Sequence, residues 1–143
     1  MLDRRRSSPR IALGEDDVEM RRVLADRLRD NGYEVVEAEN GLALIDAIAS
    51  AARDQGQAEF DLIVSDIRMP EMTGLRFLVE LRKHDRTTPV ILVTAFGDAA
   101  TRADAYRLGA GAVLDKPFEL DDFCSLVRQF APLNERGPRS QAT

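Results

Sequence analysis

Apolar residues follow two different spacings along the chain, and the two spacings alternate. Short apolar runs at 11–14, 61–66, 89–94 and 112–115 are typical of buried β-strands, and 33–38 alternates with glutamates as an edge strand does. Between these runs, apolar residues recur every three or four positions, which predicts amphipathic helices. The predicted helices cover residues 17–31, 40–52, 75–81, 98–108 and 120–130.

This order amounts to five repeats of a strand followed by a helix. A sheet whose strands alternate strictly with helices is parallel, with helices packed on both faces. The sequence therefore predicts an α/β fold with a doubly wound, five-stranded parallel sheet. Ligands of such sheets bind beside the carboxyl ends of the strands, so the residues at those ends indicate the function.

Length and charge limit the classes of protein. The 143 residues suit one ordinary domain, which the pattern places at residues 10–130. Residues 1–9, which are basic, and 131–143 lack the repeated apolar pattern and are predicted to be flexible tails. The net charge of −5 argues against a general nucleic-acid binder, and the thirteen residues after position 130 are too few for a DNA-recognition domain.

The chain has only one residue of each type that most often binds zinc. A single cysteine, Cys124, excludes an internal disulfide, and a single histidine, His84, excludes a paired-histidine metal site. No apolar run approaches the roughly 20 residues of a membrane-spanning helix, and no signal-peptide core follows the N-terminal arginines. We therefore expect a cytoplasmic protein with no membrane partner.

Acidic residues gather at the ends of two predicted strands. Glu15-Asp16-Asp17 follows the first strand, and Asp66 ends the third. Carboxylates that converge repel one another unless a cation joins them, and a set of oxygen ligands favours a hard divalent ion such as Mg²⁺. A carboxylate is also a possible nucleophile in phosphoryl transfer, where positioning and charge neutralisation do most of the work.

A hydroxyl and an ammonium group at two further strand ends would complete a phosphate site. Thr94 ends the fourth predicted strand, and Lys116 follows the fifth. The chain has eighteen arginines and only two lysines, so a lysine at a strand end indicates a need for a compact point charge. The other lysine, Lys83, lies at a helix end, where a cation suits the helix dipole.

Four segments together resemble the receiver domain of two-component response regulators. They are residues 15–17, residues 61–70 with 73–75, residues 93–95 and residues 116–118. The similarity spans about residues 10 to 130, and the four segments occur in the family's order, each at a predicted strand end. The resemblance implies the strand order 2-1-3-4-5 of flavodoxin-like sheets.

The resemblance assigns a role in phosphoryl chemistry to four positions. Asp66 matches the phosphoacceptor, and Lys116 matches the lysine that bridges to the phosphoryl group. Thr94 matches the switch hydroxyl. Pro117 matches a proline whose preceding peptide is usually cis, so a cis Lys116-Pro117 peptide is expected.

The resemblance also implies a binding site for Mg²⁺ or Mn²⁺. Asp16 and Asp66 match the direct carboxylate ligands, and Glu15 matches the acid that holds a metal-bound water. The backbone carbonyl of Arg68 matches the third protein ligand, so the Arg68 side chain is not implied in binding.

Three positions depart from the usual family pattern. Glu15 replaces the commoner aspartate and keeps its charge, and Gly14 replaces a branched apolar residue. Val113 stands where the family usually has the aromatic switch residue, so we expect signalling to rely on Thr94 without a ring that changes rotamer.

We interpret the chain as a phosphorylation-dependent receiver, either a single-domain protein or part of a longer one. A sensor histidine kinase or a histidine phosphotransfer protein is the expected phosphodonor, and the downstream protein target is unknown. The module would catalyse only its own phosphorylation and dephosphorylation and is not a turnover enzyme. Two alternatives stay open: a pseudo-receiver that binds partners without phosphorylation, and an aspartyl-phosphate phosphatase. Arg68, two residues after Asp66, stands where such phosphatases usually have a second carboxylate.

Overall fold

Parallel strands and helices alternate along the chain, of which this computed structural model describes residues 8–53, 59–95 and 99–133. The strands are β1 (Arg10–Gly14), β2 (Glu34–Ala38), β3 (Leu62–Asp66), β4 (Val90–Thr94) and β5 (Ala112–Asp115). The helices are α1 (Val18–Asp30), α2 (Gly41–Arg53), α3 (Gly74–Arg82), α4 (Ala99–Arg107) and α5 (Leu120–Phe130).

The five strands form one sheet in the order β2-β1-β3-β4-β5, and every neighbouring pair is parallel. This arrangement confirms the predicted fold and strand order. The chain runs from β1 outward to β2 and then returns past β1 to β3, so the direction of winding reverses between β1 and β3. In open α/β sheets, that reversal leaves a crevice at the carboxyl ends of the two strands.

Burial along the strands explains why the central ones are so apolar. All five residues of β3 and all five of β4 are buried, because helices cover both faces of the sheet there. The edge strand β2 is mixed, with buried Val35 and Ala38 and exposed Glu34 and Glu37. Apolar residues alternate with glutamates at 33–38, and this pattern correctly predicted a strand at the edge of the sheet.

Two separate apolar cores lie on opposite faces of the sheet. On one face, α1 and α5 pack against alternate residues of β1, β3 and β4, with Leu24 and Phe123 fully buried. On the other face, α2, α3 and α4 pack against the intervening strand residues, with Leu44 and Phe77 at the centre. Successive side chains of a strand point to opposite faces, so each central strand contributes to both cores.

Polar side chains cap three helices where the chain leaves the sheet. Asp17 accepts hydrogen bonds from the backbone N–H groups of Glu19 and Met20 at the start of α1. The predicted cap of α2 is present, since Asn40 accepts from the N–H of Ala43 at 2.8 Å. Thr73 caps α3 in the same way. These bonds satisfy donors that helix geometry leaves free and fix the path of the strand-to-helix loops.

Helix α4 is the least firmly packed of the five. Ala105 is its only buried residue, and its large apolar side chain, Tyr106, is 48% exposed. Two polar contacts hold the helix to β5: the guanidinium of Arg102 pairs with Asp115, and the hydroxyl of Tyr106 accepts the N–H of Val113 at 3.2 Å. The second contact occupies a backbone donor on the free edge of the sheet.

The packed chain continues past the predicted domain end at residue 130. Ala131 is buried, and its carbonyl accepts a 2.6 Å hydrogen bond from the hydroxyl of Tyr33. Leu133 packs against the core beneath α1 and α5. Most of the two predicted tails, residues 1–7 and 134–143, lies outside the described residues. Within the described ranges, no helix is long and apolar enough to cross a membrane.

Candidate functional site

Three carboxylates meet in the crevice between β1 and β3. Glu15 and Asp16 follow β1 directly, and Asp66 is the last residue of β3. One oxygen from each side chain lies within 4.8 Å of the others. Glu15 is only 2% exposed and Asp66 only 4%, whereas Asp16 is exposed at the mouth. The structure therefore brings together the acids at the ends of these two strands, with one acid open to solvent.

Lys116 enters this acidic cluster from the end of β5. Its ammonium Nζ lies 2.8 Å from Oδ2 of Asp66 and 3.4 Å from Oε1 of Glu15. Its backbone N–H donates to the carbonyl of Thr94 at 2.7 Å, which continues the β4–β5 pairing. The Lys116-Pro117 peptide is cis, as the resemblance implies. The single ammonium group thus contacts both buried acids.

Burial and nearby charges shift the pKa values of Glu15 and Lys116. Burial, together with the charge of Asp66, raises the pKa of Glu15 from 4.5 to about 7, although the N–H of Asp17 and the ammonium of Lys116 oppose the shift. Burial works against a charge on Lys116, but its hydrogen bond with Asp66 and the two acidic charges outweigh it and raise the lysine pKa. One ammonium does not offset three carboxylates, so the cluster has the charge and the oxygen donors that a hard divalent cation prefers.

The loop after β3 sets the orientation of Asp66. The N–H of Arg68 donates to Oδ1 of Asp66 at 3.1 Å, while the Arg68 side chain is exposed. The N–H of Gly74 donates to the carbonyl of Ile67 at 2.9 Å and closes the loop. A Cβ at position 74 would lie 2.6 Å from the carbonyl oxygen of Asp66, so only glycine permits this close approach.

The middle of the same loop is a tight turn held by α2. The N–H of Met72 donates to the carbonyl of Pro70 at 2.7 Å, and Glu71 between them has φ 73°. Gly41, the first residue of α2, lies so close that a Cβ there would be 2.4 Å from the carbonyl oxygen of Met72. The start of α2 therefore fixes the shape of the loop that carries the backbone of Arg68.

The two predicted switch positions lie on neighbouring strands. Thr94 ends β4, is 8% exposed, and follows Val93, which pairs in register with Asp66. Val113 lies on β5 opposite Leu92 and is half-buried. No aromatic ring comes from position 113, but the ring of Tyr106 on α4 reaches the backbone of that residue. The roles of Thr94 and Val113 in signalling stay predictions.

Sequence reasoning missed three residues that the structure places around the site. Arg21 on α1 donates to the carbonyl of Glu15, while Arg102 and Tyr106 attach α4 to β5. The contact of Arg21 could have been anticipated from the sequence. The residue follows Asp17 by four positions, which places it on the helix face that lies beside the acidic residues at the start of α1. The contacts of Arg102 and Tyr106 carried none, since the apolar pattern of α4 is too weak to orient the helix.

Comparison with known proteins agrees with this architecture. A family model for the response regulator receiver domain matches residues 11–128. The regulatory protein AtoC of Escherichia coli (strain K12) is 36% identical over 120 residues, which are 84% of this chain and 24% of that protein. The chain thus spans about a quarter of the length of this curated relative.

Solved structures show the same fold. The receiver domain of the Francisella response regulator 1452 has a TM-score of 0.77 and 26% identity, with 90% of this chain and 98% of that chain covered. The response regulator protein TrrA from Thermotoga maritima, solved in complex with Mg(2+)-BeF, has a TM-score of 0.73 and 28% identity, with 85% and 98% covered. Because the family match runs from β1 into α5 and the strand order is that of the solved receivers, this chain belongs to the response regulator receiver family.

Proposed function

We propose that the chain accepts a phosphoryl group on Asp66 in the presence of Mg²⁺ or Mn²⁺ and signals by a change of conformation. The observation that carries this proposal is the contact of one ammonium group with two buried carboxylates beside an exposed third. Nζ of Lys116 lies 2.8 Å from Asp66 and 3.4 Å from Glu15, and Asp16 stands at the mouth of the same cluster. With a cation bound, such a site would hold an anion between that cation and the ammonium group of Lys116.

The proposed transfer is a displacement at phosphorus. A carboxylate oxygen of Asp66 forms a bond to phosphorus as the bond from phosphorus to the donor's leaving atom breaks. With a phosphohistidine donor, the leaving atom is an imidazole nitrogen, which keeps the bonding electron pair. The N–H of Arg68 and the ammonium of Lys116 each hold one oxygen of Asp66, so the nucleophile is oriented before the donor arrives.

The residues of the cluster fit a divalent cation. Asp16 and Asp66 would bind it directly, Glu15 would hold it through water, and the backbone carbonyl of Arg68 would complete the protein ligands. When bound, the cation supplies positive charge that neutralises the acids and the phosphoryl oxygens. Three carboxylates beside one ammonium group leave negative charge for a cation to neutralise, which supports this fit. The Mg(2+)-BeF complex of the Thermotoga relative gives independent support.

Phosphorylation would be converted into a structural change through Thr94 and Lys116. Both residues lie at strand ends beside Asp66, and a new phosphoryl group offers oxygens to the hydroxyl and the ammonium. Drawing Thr94 toward Asp66 would move the end of β4, and we propose that α4, the helix with a single buried residue, shifts in response. A phosphoryl group shifts a conformational equilibrium only if it interacts more favourably with one conformation than with the other. Its contacts with Thr94 and Lys116 would supply that difference.

The phosphodonor we propose is a sensor histidine kinase or a histidine phosphotransfer protein. Exposed apolar side chains lie beside the site, since Val18 is 56% exposed and Val23 46% exposed on α1. A cavity of about 610 Å³ between α1 and the start of α5 adds apolar lining from Met20 and Phe118. A donor helix that packs on this surface would bring its histidine to the mouth of the site.

Intact-mass measurement with a small phosphodonor tests the proposal. With Mg²⁺ and acetyl phosphate, the protein should gain about 80 Da, the mass of one phosphoryl group. Asp66→Asn should abolish the gain, while Asp46→Asn, at an exposed position of α2, should leave it unchanged. Labelling that persists in Asp66→Asn would overturn the assignment, and a wild-type protein that takes up no label would favour the pseudo-receiver alternative.

A further inference from the structure

Arg21 is an arginine on α1 that points toward the sheet and not into solvent. Its side chain is only 16% exposed, whereas the next residue, Arg22, is exposed. One guanidinium nitrogen, Nη1, donates to the backbone carbonyl of Glu15 at 2.7 Å. The other contacting nitrogen, Nε, lies 3.3 Å from Oε1 of Glu37 on β2. Arg21 therefore connects α1, β2 and the loop that carries the first two acids.

The carbonyl that Arg21 holds belongs to the peptide group between Glu15 and Asp16. That peptide is planar, so a bond that holds its orientation restrains ψ of Glu15 and φ of Asp16, the backbone angles beside the two side chains. On the other side of Glu15, the residue's own N–H donates to the carbonyl of Ala38 at 3.0 Å and extends the β1–β2 pairing by one residue. The backbone of Glu15 is thus held from both sides, by the sheet at its N–H and by Arg21 at its carbonyl.

Glu37 keeps the guanidinium in place and offsets part of its charge. Its carboxylate lies between Arg21 and Arg29, with Oε2 3.0 Å from Nη1 of Arg29. Arg29 also donates to the carbonyl of Val35 at 3.0 Å, so this pair is anchored on the outer edge of β2. A guanidinium paired with a carboxylate repels a nearby cation less than a free one does. Arg21 can therefore act as a hydrogen-bond donor close to a cation site.

We propose that Arg21 is a positioning residue for the acidic pair. It fixes the peptide between Glu15 and Asp16 so that both carboxylates face Asp66 in the geometry that binds a divalent cation, and Glu37 holds Arg21 in place. The inference rests on the metal site of the proposed function. It assigns Arg21 no contact with the cation or with the phosphoryl group.

A purely electrostatic role and a positioning role of Arg21 predict opposite changes in Mg²⁺ affinity when the residue is replaced. Arg21→Met removes a positive charge near an acidic site, which by charge alone should tighten Mg²⁺ binding. If Arg21 positions the acids, the same variant should instead weaken Mg²⁺ binding by about tenfold, as loss of a residue that orients metal ligands typically does. The sign of the change therefore separates the two explanations.

The experiment is a calorimetric titration of the whole chain with Mg²⁺ alone. Arg22→Met is the matched control, since it removes the same charge at the adjacent, exposed position and should leave the affinity unchanged or slightly tighter. Arg21→Lys keeps a charge and a donor and should recover part of the lost affinity. Amide chemical shifts of residues 15 and 16 without metal should change more in Arg21→Met than in Arg22→Met.

A double variant tests the role of Glu37. If Glu37 acts through Arg21, Glu37→Gln should weaken Mg²⁺ binding in the wild-type background and have no effect in Arg21→Met. Additive effects of the two substitutions would show that Glu37 acts only by its charge. Should Arg21→Met fail to fold, Arg21→Lys and Glu37→Gln carry the test, and unchanged Mg²⁺ affinity in both would overturn the inference.

The failures of the two proposals are distinguishable. Wild-type protein that binds no Mg²⁺ would overturn the metal site and this inference with it. Wild-type binding that is retained or tightened in Arg21→Met would overturn the inference alone and leave the proposed function intact.

Discussion

Lys116 is the positive charge inside an otherwise acidic cluster, where its Nζ contacts Asp66 and Glu15. Lys116→Ala removes a charge that competes with a cation for the same oxygens, so we expect Mg²⁺ binding to become tighter by about tenfold. The same variant should lose its response to phosphorylation, because no ammonium remains to pair with the phosphoryl oxygens. Calorimetry measures the first effect, and amide chemical shifts after treatment with acetyl phosphate measure the second.

The other lysine provides the control for this prediction. Lys83 pairs with Glu80 at 3.3 Å at the exposed end of α3, so Lys83→Ala should alter neither measurement. Markedly weaker Mg²⁺ binding in Lys116→Ala would contradict the prediction and show that the ammonium holds the carboxylates in place.

Glu15 makes the metal-free protein sensitive to pH. Burial and the charge of Asp66 raise its pKa from 4.5 to about 7, so the folded state holds a proton that the unfolded state releases. This tighter hold on the proton stabilises the folded state, fully below pH 4.5 and no longer once the pH has risen through about 7. We expect the free energy of unfolding of the wild type to fall over that pH interval. Glutamine does not ionise, so Glu15→Gln should lack the part of this fall that Glu15 causes.

Denaturant unfolding without metal at a series of pH values measures this effect. Glu39→Gln replaces an exposed glutamate of the β2–α2 loop and should keep the pH dependence of the wild type. An unchanged pH dependence in Glu15→Gln would mean that the carboxylate stays ionised in the folded protein.

At the scale of single elements, α4 is the helix best suited to move. It buries one residue, Ala105, and the side chains of Arg102 and Tyr106 attach it to β5. We expect Thr94→Ala to suppress the amide shift changes that phosphorylation causes along α4, because the pull from β4 is lost. Val113→Ala should leave these changes largely intact, since valine has no ring to reorient. The reverse ranking of the two variants would assign the switch to position 113.

The β3–α3 loop is the element that needs glycine. A Cβ at Gly74 would lie 2.6 Å from the carbonyl oxygen of Asp66, and backbone cannot yield as a side chain does. We expect Gly74→Ala to lower the free energy of unfolding by roughly 1–3 kcal/mol, as overpacking does, and to slow phosphorylation of Asp66. Denaturant unfolding and the rate of mass gain measure the two effects.

Gly14→Ala is the matched control for this prediction. A Cβ there meets Cδ2 of Leu44 at 3.0 Å, which is the far end of a flexible side chain. The control should therefore be milder than Gly74→Ala. Equal or larger destabilisation by Gly14→Ala would contradict the role assigned to the close approach at Gly74.

At the scale of the whole molecule, the parallel sheet gathers distant residues at one edge. Lys116 is 50 residues from Asp66 and 101 from Glu15 along the chain, yet it contacts both. Two cores on opposite faces hold the strands that end there, so the site rests on the most buried part of the fold. Beside it lies α4, in which Ala105 is the one buried residue, so a deeply buried site adjoins a loosely packed helix.

The local pattern of the sequence was sufficient to predict the elements. Continuous apolar runs identified β3 and β4, and all ten of their residues are buried. Four helices followed from three- and four-residue spacing, because that spacing is a property of neighbouring residues alone, whereas α4 has only a weak, alanine-rich face. The strand order and the site residues came from the resemblance, since the apolar pattern does not specify which strands become neighbours.

The alternation of strands and helices, the acidic strand ends and the family could therefore all be predicted before the fold was known. The contacts of Lys116 with Glu15, of Arg21 with the carbonyl of Glu15 and of the Tyr106 hydroxyl with the N–H of Val113 became evident only in the folded chain. These contacts depend on the relative placement of separate elements in space. Hydrophobic periodicity indicates which face of an element is buried, but it carries no information about which partner a polar side chain meets there.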